Sequence, residues 1–237
     1  MKLLELFKGT GSVGKVFKNI YPESEIYSVD ILQKYNPTWC CDIMDFDYKQ
    51  FKIGHFDIIW ASPECKVFSK LQHTWLKTSR GEKGKWDNME HLNRVRMENG
   101  KYVKRVLEII EYLKPTSWFI ENPWESAMIK LPFMKELPNY RFDYCRFDYD
   151  YKKPTRIWTN KSFENVICNH KNKPHKYRPG IGKGSKFMYN TPSGDLSNIN
   201  ERYSIPPKLI EHLMNTTLPS APKSVSECDI RFDAPVP

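Results

Sequence analysis

The first thirty residues limit the fold more than any other part of the chain. Leu3-Leu4-Glu5-Leu6-Phe7 is a short apolar run that leads directly into Gly9-Thr10-Gly11-Ser12-Val13-Gly14, followed by a helix-like stretch from Lys15 to Ile20. This is G-x-G-x-x-G between a predicted strand and a predicted helix. Glycines allow the tight turn and a close approach of backbone to a nucleotide-type ligand, and the free amides of the helix's first turn favour negative charge. A second apolar run, Ile26 to Val29, ends in Asp30, at the distance where an acidic side chain is expected to hold a ribose diol. The unit predicts a nucleoside-bearing cofactor, against the alternative of a plain structural turn.

Cys65 carries the second constraint. It lies in Ser62-Pro63-Glu64-Cys65, just beyond the apolar run Phe56 to Ala61. Strands of alternating β and α units end at the edge where ligands bind, so a thiol in the following turn faces a crevice. A free thiol needs a positive or hydrogen-bonding environment to act as a nucleophile, and the adjacent Lys66 is a candidate source. The alternative is an inert, half-buried cysteine.

The remaining pattern alternates as an α/β fold should. Asp42 to Phe46 follows a turn-rich segment, a helical pattern covers roughly Met89 to Leu113, and a strand, Ser117 to Ile120, ends in Glu121-Asn122-Pro123. A helix is expected near Glu125 to Leu137, with strand-like runs at Tyr140 to Tyr149 and Arg156 to Thr159. This predicts a Rossmann-like, largely parallel sheet with helices on both faces, which would bring Asp30, Cys65 and Glu121 to one edge. The 237 residues are 40% hydrophobic, enough for one packed domain. No stretch approaches the length of a membrane span, and the charged opening does not read as a secretory signal. The six cysteines (40, 41, 65, 145, 168 and 228) lack framework spacing, so reduced thiols inside a cell are expected. Cys40 and Cys41 are expected to pack as apolar residues.

Two segments break the alternation. Gln72 to Glu90 is polar, with Gly81 and Gly84 among charges, and reads as a mobile loop able to close over a site. Lys161 to Asn190 holds seven Lys/Arg against the single acid Glu164, with Phe163, Tyr177, Phe187 and Tyr189 interleaved. Basic and aromatic residues mixed in this way suit a phosphate backbone and exposed bases, and the formal net charge of +9 agrees with a polyanionic partner. A solvated basic insertion is the alternative. Cys168, His170 and His175, with Cys145, are too irregularly spaced to predict a metal, and none is expected.

Taken together the residues resemble a compact, phage- or virus-type DNA (cytosine-5)-methyltransferase. Phe7, Gly9, Thr10, Gly11 and Ser12 resemble the family's cofactor loop, Asp30 with Ile31 its ribose-binding acid, and Asp42-Ile43 the pair that meets the adenine. Ser62-Pro63-Glu64-Cys65 resembles the nucleophile loop, Glu121-Asn122-Pro123 the segment that holds the target base, and Arg156 the second arginine of the Gln-x-Arg-x-Arg strand. Arg202 to Pro207 resembles the closing segment that returns to the cofactor pocket. There are departures: Glu64 and Pro123 replace proline and valine, and Lys152 and Pro154 stand where glutamine and the first arginine usually are.

The resemblance implies S-adenosylmethionine as cofactor and DNA as partner, with RNA the alternative substrate and a catalytically lapsed nucleic-acid-binding relative the other reading. It implies Cys65, Glu121 and Arg156 as catalytic residues. Phe7, Gly9, Thr10, Gly11, Ser12, Asp30, Ile31, Asp42, Ile43, Ser62 and Pro63 would line the cofactor site. Ser69, Asn122, Lys171, Lys173 and Lys176 would meet the substrate. The expected organisation is a catalytic domain at 1–160 plus 200–218, a small recognition region at 161–199 and a tail at 219–237. A monomer is expected, away from membranes, in a prokaryotic cytoplasm or, if viral, in a host-cell compartment.

Overall fold

The computed structural model describes residues 1–149, 152–169 and 204–217. Five strands, β1 (Lys2–Leu6), β2 (Glu25–Asp30), β3 (Trp39–Cys40), β4 (Ile58–Ala61) and β5 (Ser117–Pro123), run parallel. Two more, β6 (Asn139–Asp143) and β7 (Pro154–Thr159), form an antiparallel hairpin. The order across the sheet is β3-β2-β1-β4-β5-β7-β6, with β7 antiparallel to β5. The parallel half matches the doubly wound order, which reverses direction beside β1 and opens a crevice there.

The two-residue period of the strands sends alternate side chains to opposite faces. Leu3, Ile58, Trp60, Phe119 and Ile157 pack with α1 (Ser12–Ile20) and the C-terminal helix α5 (Pro207–Thr217). Leu4, Leu6, Ile59, Ala61, Ile120 and Trp158 pack with α3 (Met89–Leu113). That long helix starts at Asn88, whose side chain accepts the His91 amide at 2.8 Å. It stops at Lys114, in the left-handed region just before Pro115.

Four expected segments differ. Gln72 to Glu90 is built of a 3-10 helix (Lys70–Trp75), the short α2 (Lys77–Arg80) and a further turn (Gly81–Lys83). Leu76, Trp86 and Leu92 give it a small core, and the Trp86 indole donates to Gln72 at 2.9 Å. Two apolar anchors among the charges outweigh the polar average of the segment. The helix expected at Glu125 to Leu137 is two short pieces, a 3-10 turn (Ala127–Lys130) and α4 (Pro132–Lys135). Pro132 lacks the amide that a continuous helix requires. Tyr140 to Tyr149 yields a strand only to Asp143, and Asp42 to Phe46 forms a turn. Cys40 is exposed, with its thiol donating to the Ile31 carbonyl at 3.6 Å, whereas Cys41 packs against the α3-side core.

Glu5 is the buried acid of β1. It points toward α1, accepting the Gly14 amide at 3.3 Å, and a Cβ on Gly14 would stand 2.9 Å from the Glu5 carboxylate and from Ile26. Burial pushes its carboxyl up to about 7 from an ordinary 4.5. The folded protein therefore keeps a proton that the unfolded chain has lost, and stability from this group is complete below about pH 4.5 and declines as pH rises through 7. The difference corresponds to about 3 kcal/mol. Thermal melts of wild type and Glu5→Gln between pH 5 and pH 8 should show a smaller decline in the variant; equal declines would mean that Glu5 is not the buried acid responsible.

Candidate functional site

Register fixes the site. Val29, Leu6, Ala61 and Ile120 are lateral neighbours across β2, β1, β4 and β5, so the residues that follow them share one edge. Asp30 and Glu121 stand at the two ends of that row, three strand spacings or about 14 Å apart. Between them run the glycine loop and the loop that bears Cys65.

At one end, the chain leaves β1 through a sharp turn with positive φ at Phe7, Gly9 and Gly11. Gly11 is the N-cap of α1 and brings no side chain to the helix start, while the buried Glu5 carboxyl accepts the Gly14 amide of the first turn. Asp30 secures the turn: one carboxylate oxygen accepts the Gly9 amide and the other the Leu32 amide, both at 2.8 Å. Each oxygen retains capacity for a second donor. Ser204 and Ile205 reach this loop, with the Ser204 and Thr10 hydroxyls 3.4 Å apart and the Ile205 amide donating to the Ser12 hydroxyl at 3.2 Å. Ile31 is 63% exposed. Asp42 accepts the Met44 amide at 2.9 Å, and Ile43 is buried in the α3-side core.

At the other end, the Cys65 loop is tied down on both sides. The Ser62 amide donates to the Leu6 carbonyl at 3.2 Å, and the Ser62 hydroxyl accepts the Trp60 indole at 3.0 Å. The Asn122 amide group donates to the Pro63 carbonyl at 2.9 Å. Arg96, buried on α3, donates to the carbonyls of Val67 at 3.2 Å and Ser69 at 3.3 Å. Ser69 caps the following 3-10 helix by accepting the Leu71 amide.

Cys65 is half-buried, and burial pushes its thiol above the ordinary value; the Glu121 and Glu64 carboxylates push the same way, while Lys153 opposes them. Lys66, the expected source of positive charge, is exposed. Glu121 is 8% exposed. Burial raises its carboxyl, against Lys153 and the Tyr144 hydroxyl, which donates to Oε1 at 3.5 Å. A thiol and a carboxyl that burial raises alike thus stand beyond the last paired residues of the adjacent strands β4 and β5.

Arg156 is placed differently. Its register partner is Asn122, whereas Glu121 pairs with Ile157, so Arg156 and Glu121 leave opposite faces of the sheet. The guanidinium donates to the Asn139 side chain and to the Trp124 carbonyl at 3.1 Å, and it lies 3.7 Å from the Trp124 ring centroid. Lys171, Lys173, Lys176, His170 and His175 fall outside the described residues, as do Arg202 and Tyr203. Cys145 is pushed up to about 12 by burial and a hydrogen bond with Cys168. Among the described residues no group of three metal-ligating side chains occurs.

Sequence reasoning passed over Glu5, Arg96, Tyr144 and Lys153. Two left a signal. Glu5 is a lone acid in an apolar strand directly before the glycine loop, and Arg96 sits on the buried stripe of α3 between Leu92 and Gly100.

No family model matches the chain. A protein of Frog virus 3 (isolate Goorha), named "Probable DNA (cytosine-5)-methyltransferase", is 31% identical over 223 residues, covering 91% of this chain and 99% of that protein. The chain belongs to the DNA (cytosine-5)-methyltransferase family. The solved structure of the Entamoeba histolytica methyltransferase EhMeth shares the fold, with a TM-score of 0.50 at 14% identity over 77% of this chain and 61% of that one. The S. pombe Dnmt2 methyltransferase structure gives 0.44 at 12% identity, and this chain, 69% covered, spans 51% of it.

Membership in this methyltransferase family makes S-adenosylmethionine the cofactor. The structure fits it: a glycine turn at the start of a helix and a carboxylate with spare acceptor capacity lie side by side. No helix among the described residues is long and apolar enough to cross a membrane.

Arg96 generates the prediction for this methyltransferase site. Arg96→Ala removes both ties to the Cys65 loop, and a lost pair of charge-assisted bonds costs about 2–3 kcal/mol. Hydrogen exchange at Val67 to Gln72 should accelerate at least tenfold while β1 and β5 keep their protection. Unchanged exchange there would mean that the loop is held by other contacts.

Proposed function

We propose that this chain transfers a methyl group to ring carbon 5 of cytosine in DNA through a covalent bond to Cys65. The observation that carries the reading is the Cys65 thiol and the buried Glu121 carboxyl, whose proton affinity burial raises, at one sheet edge. The named function of the viral relative supports DNA as the substrate.

Ring carbon 5 of cytosine is a weak nucleophile until the ring's aromaticity is broken. The Cys65 thiolate adds to ring carbon 6, forming an S–C bond, and the displaced π electrons move through the ring to nitrogen 3. Glu121 gives its proton to that nitrogen and, as the carboxylate, accepts from the exocyclic amine. The result is an electron-rich carbon 5. Bound S-adenosylmethionine supplies the electrophilic methyl group, on a positively charged sulfur. Loss of the carbon 5 proton to water then expels Cys65 as the thiolate, and nitrogen 3 returns its proton to the Glu121 carboxylate, which restores both the ring and the acid.

Phe7, Gly9, Thr10, Gly11, Ser12, Asp30, Ile31, Asp42, Ile43, Ser62 and Pro63 hold the cofactor in this reading. Asp30 takes the ribose hydroxyls with its spare lone pairs, and the start of α1 takes the carboxylate end. Asn122 positions the base indirectly, through the Pro63 carbonyl. Arg156 meets the exocyclic oxygen of the base only by leaving Asn139; as it stands it orients Trp124. Inside a duplex the target carbon is out of reach, so the base must flip out at a cost of a few kcal/mol. Ser69 and the basic residues Lys171, Lys173 and Lys176 track the nucleic acid, without long-range sequence reading from so short a segment.

Labelled methyl transfer to duplex DNA and to RNA, with calorimetry for cofactor binding, tests this. Wild type should label DNA at carbon 5 of cytosine. Cys65→Ser should lose at least about four orders of magnitude in rate while binding the cofactor within about threefold of wild type. Labelling of RNA in preference to DNA would replace the substrate assignment, and a Cys65→Ser variant that keeps most of its rate would overturn the mechanism.

A further inference from the structure

Lys153 is the cation of the site, at a position to which neither the sequence pattern nor the mechanism above gives a role. Three contacts locate it. Its carbonyl accepts the Tyr144 amide at 3.2 Å. Its ammonium lies over the Tyr144 ring, 4.7 Å from the centroid. The hydroxyl at the far end of that ring donates to Glu121 at 3.5 Å. Tyr144 is fully buried, so the ring is a fixed platform and holds the ammonium against the acid's own hydrogen-bond partner.

The charges around Cys65 leave a gap that this placement fills. Glu121 and Glu64 both disfavour a thiolate, and burial adds to them. Lys66 is exposed, and the Arg156 guanidinium is engaged by Asn139 and Trp124 on the other face of the sheet. Lys153 acts on both reacting groups, favouring charge on the thiol and on the Glu121 carboxyl. An ammonium half-screened from solvent and seated on a ring keeps more of its field than an exposed one.

We propose that Lys153 is a positioning residue of the reaction: its ammonium, seated on Tyr144, supplies the positive charge that allows the Cys65 thiolate to form beside Glu121. The inference rests on the reading of Cys65 as the nucleophile. The thiol proton leaves to solvent water, since Cys65 is only half-buried. No other group changes its proton count in this step. Lys153 stands directly before Pro154, at the start of β7.

The test is the pH dependence of Cys65 alkylation by iodoacetamide, followed by mass spectrometry of the Cys65 peptide, with neither cofactor nor DNA present. Lys153→Met should move the alkylation midpoint upward by about one pH unit, and at neutral pH lower kcat for methyl transfer about tenfold with KM for DNA within about threefold. Lys153→Arg should return the midpoint to within about 0.3 of wild type, because it restores the charge and the ring contact. A Lys153→Met midpoint equal to that of wild type, or a Lys153→Arg midpoint equal to that of Lys153→Met, overturns the proposal. If Lys153→Met does not fold by circular dichroism, Lys153→Gln gives the same reading with a polar chain. Alkylation requires no methyl transfer. A shifted midpoint in a protein that methylates nothing would therefore uphold the role of Lys153 and overturn only the proposed function.

Discussion

The parallel register of four strands is the constraint on which everything else here depends. Because Val29, Leu6, Ala61 and Ile120 lie in one lateral row, four separate stretches of chain deliver their next residues to a single edge. A slip of one residue in any of these pairings would exchange the two faces of that strand. Glu5 would turn from Gly14 toward the α3 side, and Glu121 would leave Tyr144. The two hydrophobic clusters on opposite faces of the sheet oppose such a slip. The energy that places the functional groups is therefore the burial of side chains that take no part in chemistry.

Within that frame the site is arranged around proton retention. Desolvation raises the Cys65 thiol, the Glu121 carboxyl and the more distant Glu5 carboxyl alike. For Glu121 this suits the proton donor that the proposed attack on cytosine requires; for Cys65 it works against the thiolate that the same proposal requires. In the proposed role Lys153 on the Tyr144 ring favours charge on both groups, so it assists the thiolate, while burial has to sustain the proton on Glu121 against it. The loop ties from Arg96 and Asn122 keep the thiol beside its partner.

Much of this was legible in the sequence, and for physical reasons. The strand, glycine turn and Asp30 are local features, and α3 appears at Met89–Leu113 as its periodicity predicts. The edge shared by Asp30, Cys65 and Glu121 follows from βα alternation. Other features depend on tertiary contacts that a linear pattern does not carry. The side of the sheet that Arg156 takes is set by its pairing with Asn122. Trp86 orders a segment whose average composition is polar. Lys153 carries no local signal, because nothing in the sequence announces that Tyr144, nine residues earlier, is the platform for it. Residues 170–203, which include most of the basic segment, lie outside the described structure.

Covalent capture addresses the central claim most directly. Duplex DNA carrying 5-fluorocytosine blocks the final elimination, since fluorine cannot leave carbon 5 as a proton does, so an enzyme that attacks ring carbon 6 stays attached. Incubated with this DNA and S-adenosylmethionine, the protein should form a denaturant-resistant complex, and digestion should yield the methylated fluorocytosine on the peptide containing Cys65. A complex mapped to another residue, or none from a preparation that methylates ordinary cytosine in the same duplex, would contradict the account.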